Sequence, residues 1–247
     1  MVLFEARNIQ KRFGARVVLE NISLNVEEGA VHGIIGPNGA GKTTCFNVLT
    51  GHYAPDGGSI RFKGRDIAGL KPHRIAQLGI SRSFQIMNLF DDTVVIENVM
   101  LAMPEFRALG FNTWRSVFTD RGLTDPALEI LAQVDLVDKA WEKAAALSYG
   151  QRRALEIAVA LAARPKIVFL DEPTSGLGAE ATRALARLVQ RLRENYTIVM
   201  IEHDMRFLFE LADRISVIHW GQVIAEDTPA ELMANKWVAR SALGELA

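Results

Sequence analysis

The chain has 247 residues, of which 49% are hydrophobic, and a formal net charge of −1. Its length and apolar content support the buried core of one large or two small domains, and its balanced charge excludes the strongly basic surface of a nucleic-acid or anionic-membrane binder. A single cysteine excludes an internal disulfide framework and fits a reducing compartment.

The opening segment carries charge from Glu5 and has no apolar run of signal-peptide length. No stretch reaches the roughly 18 uncharged apolar residues of a membrane span. The expectation is a soluble cytoplasmic protein that meets any membrane through a partner. The first 35 residues predict strands, with Val17–Val26 alternating apolar and polar as a half-buried antiparallel strand does. Val31–Ile35 leads into a glycine-rich turn, followed by a helix over Lys42–Leu49. Residues 51–59 are turn-rich, and Ser59–Phe62 predicts a strand ended by Lys63–Gly64.

From about Thr93 to Ala146 the apolar spacing becomes helical. Val94, Val95, Asn98, Val99, Leu101 and Ala102 fall largely on one face, and Leu128, Leu131, Val134 and Leu136 fit a second helix. After Ser148 the pattern alternates: helix over Ser148–Ala163, strand Lys166–Leu170, helix Ala179–Arg193, strand Thr197–Ile201 and helix Met205–Ala212. Arg214–His219 and Gln222–Ala225 then predict a hairpin about Trp220–Gly221. This order implies an α/β domain with a mainly parallel sheet flanked by helices and interrupted by a helical insertion.

Residues 36–43 read GPNGAGKT, the phosphate-loop pattern. A glycine-rich turn lets backbone N–H groups wrap a phosphate chain, and the helix that follows adds its N-terminal dipole. Lys42 would neutralise the β- and γ-phosphates, and the Thr43 hydroxyl suits Mg²⁺. The strand IVFL ends in Asp171 and Glu172, at the carboxyl end where open α/β sheets bind ligands. Asp171 fits a metal-side carboxylate, and Glu172, one residue on, fits a general base for water beside the γ-phosphate. Residues 147–151, LSYGQ, open a further helix with Ser148 as N-cap and Gly150 permitting close approach. That is a second anion site, which one nucleotide does not need within one chain. Two chains meeting face to face do, each lending a site to the other's nucleotide.

With these motifs in this order, the chain resembles the ATP-binding cassette (ABC) family over nearly its full length. The resemblance implies a P-loop NTPase core at about residues 1–92 and 148–247, carrying an N-terminal antiparallel β-subdomain, with a helical subdomain at about 93–147. It implies ATP and Mg²⁺ as ligands. Phe13 matches the aromatic that stacks on adenine, and Gly36, Pro37, Asn38, Gly39, Ala40, Gly41, Lys42, Thr43 and Thr44 match the phosphate loop. Gln85 matches the glutamine that contacts the metal and the attacking water. Ser148, Tyr149, Gly150 and Gln151 match the signature motif, with Tyr149 where glycine is commonest. Asp171 and Glu172 match the metal and catalytic carboxylates, and His203 matches the switch histidine that senses the γ-phosphate. Gly178 departs from the pattern, because many cassettes have Asp or Asn there to bond across the dimer.

A narrower resemblance, in LSYGQRRALEIA, IEHDM, IAEDTPAEL and the closing SALGE, is to the longer ATPase of branched-chain amino acid importers. The insertion at Pro104–Gly122, with Phe106, Phe111, Trp114 and Phe118, suits it too. It implies a second ATPase subunit as partner (a heterodimer, with a homodimer as the alternative), two permease subunits, a periplasmic or extracellular solute-binding protein acting indirectly, and no nucleic acid. The place of work would be the cytoplasmic face of the plasma membrane, reached peripherally through the permease. The apolar run Ile86–Phe90, just after Gln85, is expected to receive a short permease helix. The competing readings are a non-transport ABC protein of translation or DNA repair, which usually has two cassettes or a long coiled-coil insertion, and an inactive ATP-binding module, against which Lys42, Glu172 and His203 argue. Cys45 reads as a small buried apolar residue.

Overall fold

The computed structural model describes residues 1–83, 89–108 and 120–235. Gln85 and the run Ile86–Asn88, the aromatics Phe111, Trp114 and Phe118, and the closing SALGE segment lie outside the described residues.

Strands β1 (Val2–Phe13) and β2 (Arg16–Glu27) pair antiparallel, and β3 (Val31–Ile35) runs into helix α1 (Lys42–Leu49). Strands β4 (Gly57–Phe62) and β5 (Arg65–Asp66) extend the antiparallel half, and α2 (Pro72–Gln77) leads to the short β6 (Ile80–Arg82). Helices α3 (Val95–Ala102), α4 (Pro104–Ala108) and α5 (Arg121–Gln133) come next, followed by α6 (Tyr149–Ala162). The last stretch runs β7 (Ile167–Asp171), α7 (Ala179–Leu192), β8 (Thr197–Ile201), α8 (Met205–Leu211), β9 (Arg214–His219), β10 (Gln222–Asp227) and α9 (Pro229–Ala234). The strands form one sheet in the order β5-β4-β1-β2-β10-β9-β3-β8-β7-β6. From β9 to β6 all neighbours are parallel. The two halves meet where β10 pairs with β2 at Gln222 and Asn21. The expected α/β cassette is present: a mainly parallel core, an antiparallel N-terminal portion, and helices inserted between β6 and α6.

Strands β3, β7 and β8 are buried at every position, as strands covered on both faces must be. Their side chains divide by the two-residue period of a strand. Val168, Leu170, Ile198 and Met200 join the core built with α3, α5, α6 and α7. Ile167, Phe169, Val199 and Ile201 face the other core, with Cys45, Phe46 and Leu49 of α1 and the apolar face of the antiparallel strands. Phe169 anchors that second core, meeting the rings of Phe4 and Phe46 edge-on at 5.4 and 5.2 Å. Cys45 is fully buried there, and burial pushes its thiol up to about 12, so it behaves as a small apolar residue.

One local expectation is corrected, and short elements are added to those the sequence predicts. The second helix of the insertion starts earlier and ends sooner than the apolar spacing predicts. Asp120 caps it by accepting from Gly122 N at 3.0 Å, and it stops at Gln133 because Asp135 turns left-handed at φ 58°. Val134 and Leu136 are buried all the same, from the turn and not from a helix face. Helix α2 and strand β6 were not expected, since each is too short to show a period. Helix α9, closed by a Thr228–Glu231 capping box, was missed for the same reason. Among the described residues no helix is long and apolar enough to cross a membrane.

Candidate nucleotide site

The loop between β3 and α1 is shaped by two glycines. A Cβ at Gly36 would stand 2.1 Å from the Ile218 carbonyl oxygen. Gly41, at φ 102°, caps α1 in a left-handed conformation and lies against Val18 and Leu19 of β2. Lys42, the first residue of α1, folds its ammonium back over this loop and donates to Gly36 O at 2.7 Å and Pro37 O at 3.1 Å. Burial holds the Lys42 amine below its usual value, and the Glu172 carboxylate partly offsets this. Ala40 O accepts from Gly221 N, which ties the loop to the β9–β10 turn.

A cavity of about 440 Å³ opens over the loop. Phe13 stands in its wall, as do Asn38, Gly39, Gly41, Lys42, Thr43 and Thr44, with Glu172 from the end of β7. Phe13 ends β1, is 45% exposed, and meets Tyr53 edge-on at 5.3 Å with the Lys11 ammonium 5.6 Å from its ring. An exposed ring at the mouth of a cavity whose floor is an anion cradle can stack on a flat base while the floor takes phosphates.

Asp171 and Glu172 follow each other but do different things. Asp171 is buried, and its Oδ2 accepts from Arg82 Nη2 at 2.7 Å. Arg82 is fixed in turn by Asn47 and Thr50 of the α1 region and by the Phe46 ring 5.0 Å away. Glu172 turns left-handed, at φ 45°, while its N–H donates to Ile201 O at the end of β8. That swings its carboxylate into the cavity, at a cost of about 1 kcal/mol in backbone strain. Its Oε2 lies 3.9 Å from Nδ1 of His203, which is largely exposed. Next to the histidine, Glu202 is fully buried and bridges to the loop after Glu172. Its Oε1 accepts from Thr174 N and its Oε2 from Thr174 Oγ1, both at 2.8 Å. Burial pushes the Glu202 carboxyl up, and the Thr174 donors pull it back.

The signature residues lie elsewhere. Ser148 caps α6, its Oγ accepting from Gln151 N while Gln151 Oε1 accepts from Ser148 N. Ser148, Gly150 and Gln151 line a separate cavity of about 600 Å³, with Gly178 and Ala181 of the α7 start, and this cavity shares no residue with the first. Tyr149 donates its hydroxyl to Ser175 O at 3.0 Å, from one motif to the loop following the other.

Residues 19–175 match the family described as "ABC transporter". The chain belongs to the ABC transporter ATPase family. It is 40% identical over 252 residues to the high-affinity branched-chain amino acid transport ATP-binding protein BraF of Pseudomonas aeruginosa, with 98% of each chain covered. Its fold matches the crystal structure of the ADP conformation of the cassette MJ1267, with a TM-score of 0.88, 30% identity, and coverage of 99% of this chain and 100% of that one. It also matches the cassette MJ0796, solved as a dimer in a post-hydrolysis state bound to ADP and Pi, with a TM-score of 0.76, 26% identity, and coverage of 92% and 99%.

This ABC subunit is therefore an ATP-binding and ATP-hydrolysing enzyme. Its structure brings Phe13, the phosphate loop, Glu172 and His203 to one place, leaves Asp171 buried against Arg82, puts Ser148, Gly150 and Gln151 in the other cavity, and links Tyr149 to the loop after Glu172. Sequence reading missed Arg82 and Glu202. Arg82 bonds Asp171 and Glu202 bonds Thr174, both far along the chain, and no sequence motif marks either pairing.

Proposed function

We propose that this ABC ATPase powers a binding-protein-dependent importer for branched-chain amino acids or a related small solute. The observation that carries the solute class is the 40% identity with BraF over 98% of both chains. It also disfavours a non-transport role in translation or DNA repair. In this reading ATP lies with its base against Phe13 and its phosphates along Gly36–Thr44, with Lys42 on the β- and γ-phosphates. Glu172 takes the proton of the attacking water, and the nearby His203 senses the γ-phosphate. Residues 1–92 and 148–247 form the catalytic core, and residues 93–147 form the helical subdomain.

The residues fit Mg²⁺. No group of three or more His, Cys, Asp or Glu among the described residues could hold a metal by itself. The donors on offer are hard oxygens, which suits an ion that keeps waters and takes phosphate oxygens as ligands. Thr43 and Asp171 would hold it together with Gln85, and it would neutralise the phosphate oxygens of ATP there.

The separation of the two cavities favours a face-to-face pair in which Ser148 and Gly150 meet the nucleotide of the other cassette. The partner in this reading is a sister ATPase, with self-pairing as the alternative. Two permease subunits sit above the pair at the cytoplasmic face of the membrane, and a solute-binding protein acts from the far side. In this reading the permease contact is the run Ile86–Phe90 with the helix starting near Val94; of that run, Leu89 lines a hollow of about 290 Å³ together with Ile75, Ile80, Ala102 and Val159. Phe90 beside it is 58% exposed.

In the assembled transporter, Glu172→Gln should still bind ATP but hydrolyse it about two to four orders of magnitude more slowly. Undiminished steady-state hydrolysis would overturn the base assignment. Uptake of labelled leucine, isoleucine or valine that depends on this chain tests the solute class, and uptake of none of them overturns it.

A further inference from the structure

Glu202 is an expensive residue to bury: it is fully enclosed and is not among the residues that line the cavity over the phosphate loop. Both its oxygens are spent on Thr174, at 2.8 Å each, and Oε2 also accepts from His203 N at 3.2 Å. Thr174 belongs to the turn that begins at Glu172, whose carbonyl accepts from Ser175 N at 3.0 Å. Glu172 itself is tied back to β8 through Ile201 O. The ends of β7 and β8 are therefore joined twice, once by a backbone bond at Glu172 and once by a side-chain clamp from Glu202 to Thr174. The two side chains that project from these ends are Glu172 and His203, 3.9 Å apart.

We propose that Glu202 is a positioning residue that locks the turn carrying Glu172 to the strand end carrying His203, and so fixes the spacing of the base and the histidine. The proposal rests on the catalytic reading of those two residues. A two-oxygen clamp resists both sliding and twisting of the Thr174 peptide, which a single hydrogen bond does not. Without it, the Glu172 turn is tied to the end of β8 by the Glu172–Ile201 backbone bond, and the Ser175–Glu172 bond holds the turn only to itself. A displacement of about 1 Å at a reacting group is enough to cost up to about a hundredfold in rate.

The test measures steady-state ATP hydrolysis by the assembled transporter, and nucleotide affinity and melting temperature of the subunit. Glu202→Ala and Thr174→Val should each lower kcat by about ten- to a hundredfold, with KM for ATP and nucleotide affinity within about twofold of the parent. Because the two residues form one clamp, the double variant should be no worse than the poorer single one. Glu202→Gln keeps an acceptor for Thr174 N and a polar contact for Thr174 Oγ1, so it should restore most of the rate. Should Glu202→Ala prove unstable, Thr174→Val and Glu202→Gln still decide the matter. A kcat unchanged in Thr174→Val overturns the proposal. So does a parallel loss of kcat, nucleotide affinity and melting temperature, or additive effects in the double variant. If Glu172→Gln itself hydrolyses ATP normally, the catalytic reading has failed. If it is inactive while Thr174→Val is normal, only the clamp has failed.

Discussion

His32 sits in the middle of β3 with almost no exposed surface, and its Nε2 lies 2.8 Å from Ser216 Oγ. The Ser216 hydroxyl donates its one proton to Glu226 Oε2, so the Nε2–H of the histidine donates to Ser216. Burial, reinforced by the Arg214 charge, lowers its pKa from 6.5 to about 4. A depressed histidine contributes stability that is complete above pH 6.5 and is lost as pH falls towards 4, by up to about 3 kcal/mol in all. Urea unfolding at pH 7 and pH 5 should show this loss, and His32→Gln should be weaker at pH 7 yet lose less between the two. Equal losses in parent and variant would mean that other groups set the acid limit. The same residue scale shows what a linear reading can find. Lys42, Thr43, Asp171 and Glu172 were legible because a strand, a turn and a helix lie next to them in the chain. Arg82 and Glu202 were not, because they act on Asp171, 89 residues away, and on Thr174, 28 residues away. A charged residue whose side-chain partner lies far along the chain looks like any solvated one until the fold closes.

Helix α7 begins at Gly178, whose backbone is extended at φ −79° and ψ 166° and whose side-chain position is open, with no atom within 4 Å of a built Cβ. The helix starts without a side-chain cap, although the backbone is already in the form that a capping side chain uses. Gly178→Asn should therefore stabilise the subunit by a few tenths of a kcal/mol and raise its melting temperature by about 1 °C. A lower melting temperature in a thermal melt would show that this turn needs glycine for another reason. At this scale the buried strands β3, β7 and β8 and the amphipathic helices were readable in the sequence, since each repeats its pattern often enough to be counted. Val17–Val26 was readable in type but not in detail. The β1–β2 register shifts several times, between Ile9 and Arg12 among other places, and breaks the clean alternation into Leu19, then Ile22, Leu24 and Val26 inside. Helix α5 shows the opposite error: buried residues beyond its end made the periodic stretch look longer than the helix.

Across the whole molecule, the division into a parallel core and an antiparallel portion was readable from strand alternation, but the way they join was not. The join is narrow. Gln222 pairs with Asn21, and Gly221 O accepts from Glu20 N at 2.9 Å, while Gly221 N reaches Ala40 O in the phosphate loop at 3.0 Å. One residue thus stitches three segments, and no side chain can replace its glycine, since a Cβ there would stand 2.3 Å from Val18 O at φ 74°. A ligand that spans Phe13 and the phosphate loop bridges this seam from above, holding both halves at once. Local opening of such a seam would be reported by the exchange of its amides. Deuterium uptake at Glu20, Asn21 and Gly221 should slow on addition of ATP, more than uptake in the already enclosed β7 and β8. Equal protection everywhere would mean that the nucleotide stiffens the subunit without bridging its halves. The parallel and antiparallel portions already share one sheet and one buried core, with Phe169 against Phe4, so a ligand held at both Phe13 and the phosphate loop would add its tie at the rim of the seam, where the backbone bonds are fewest.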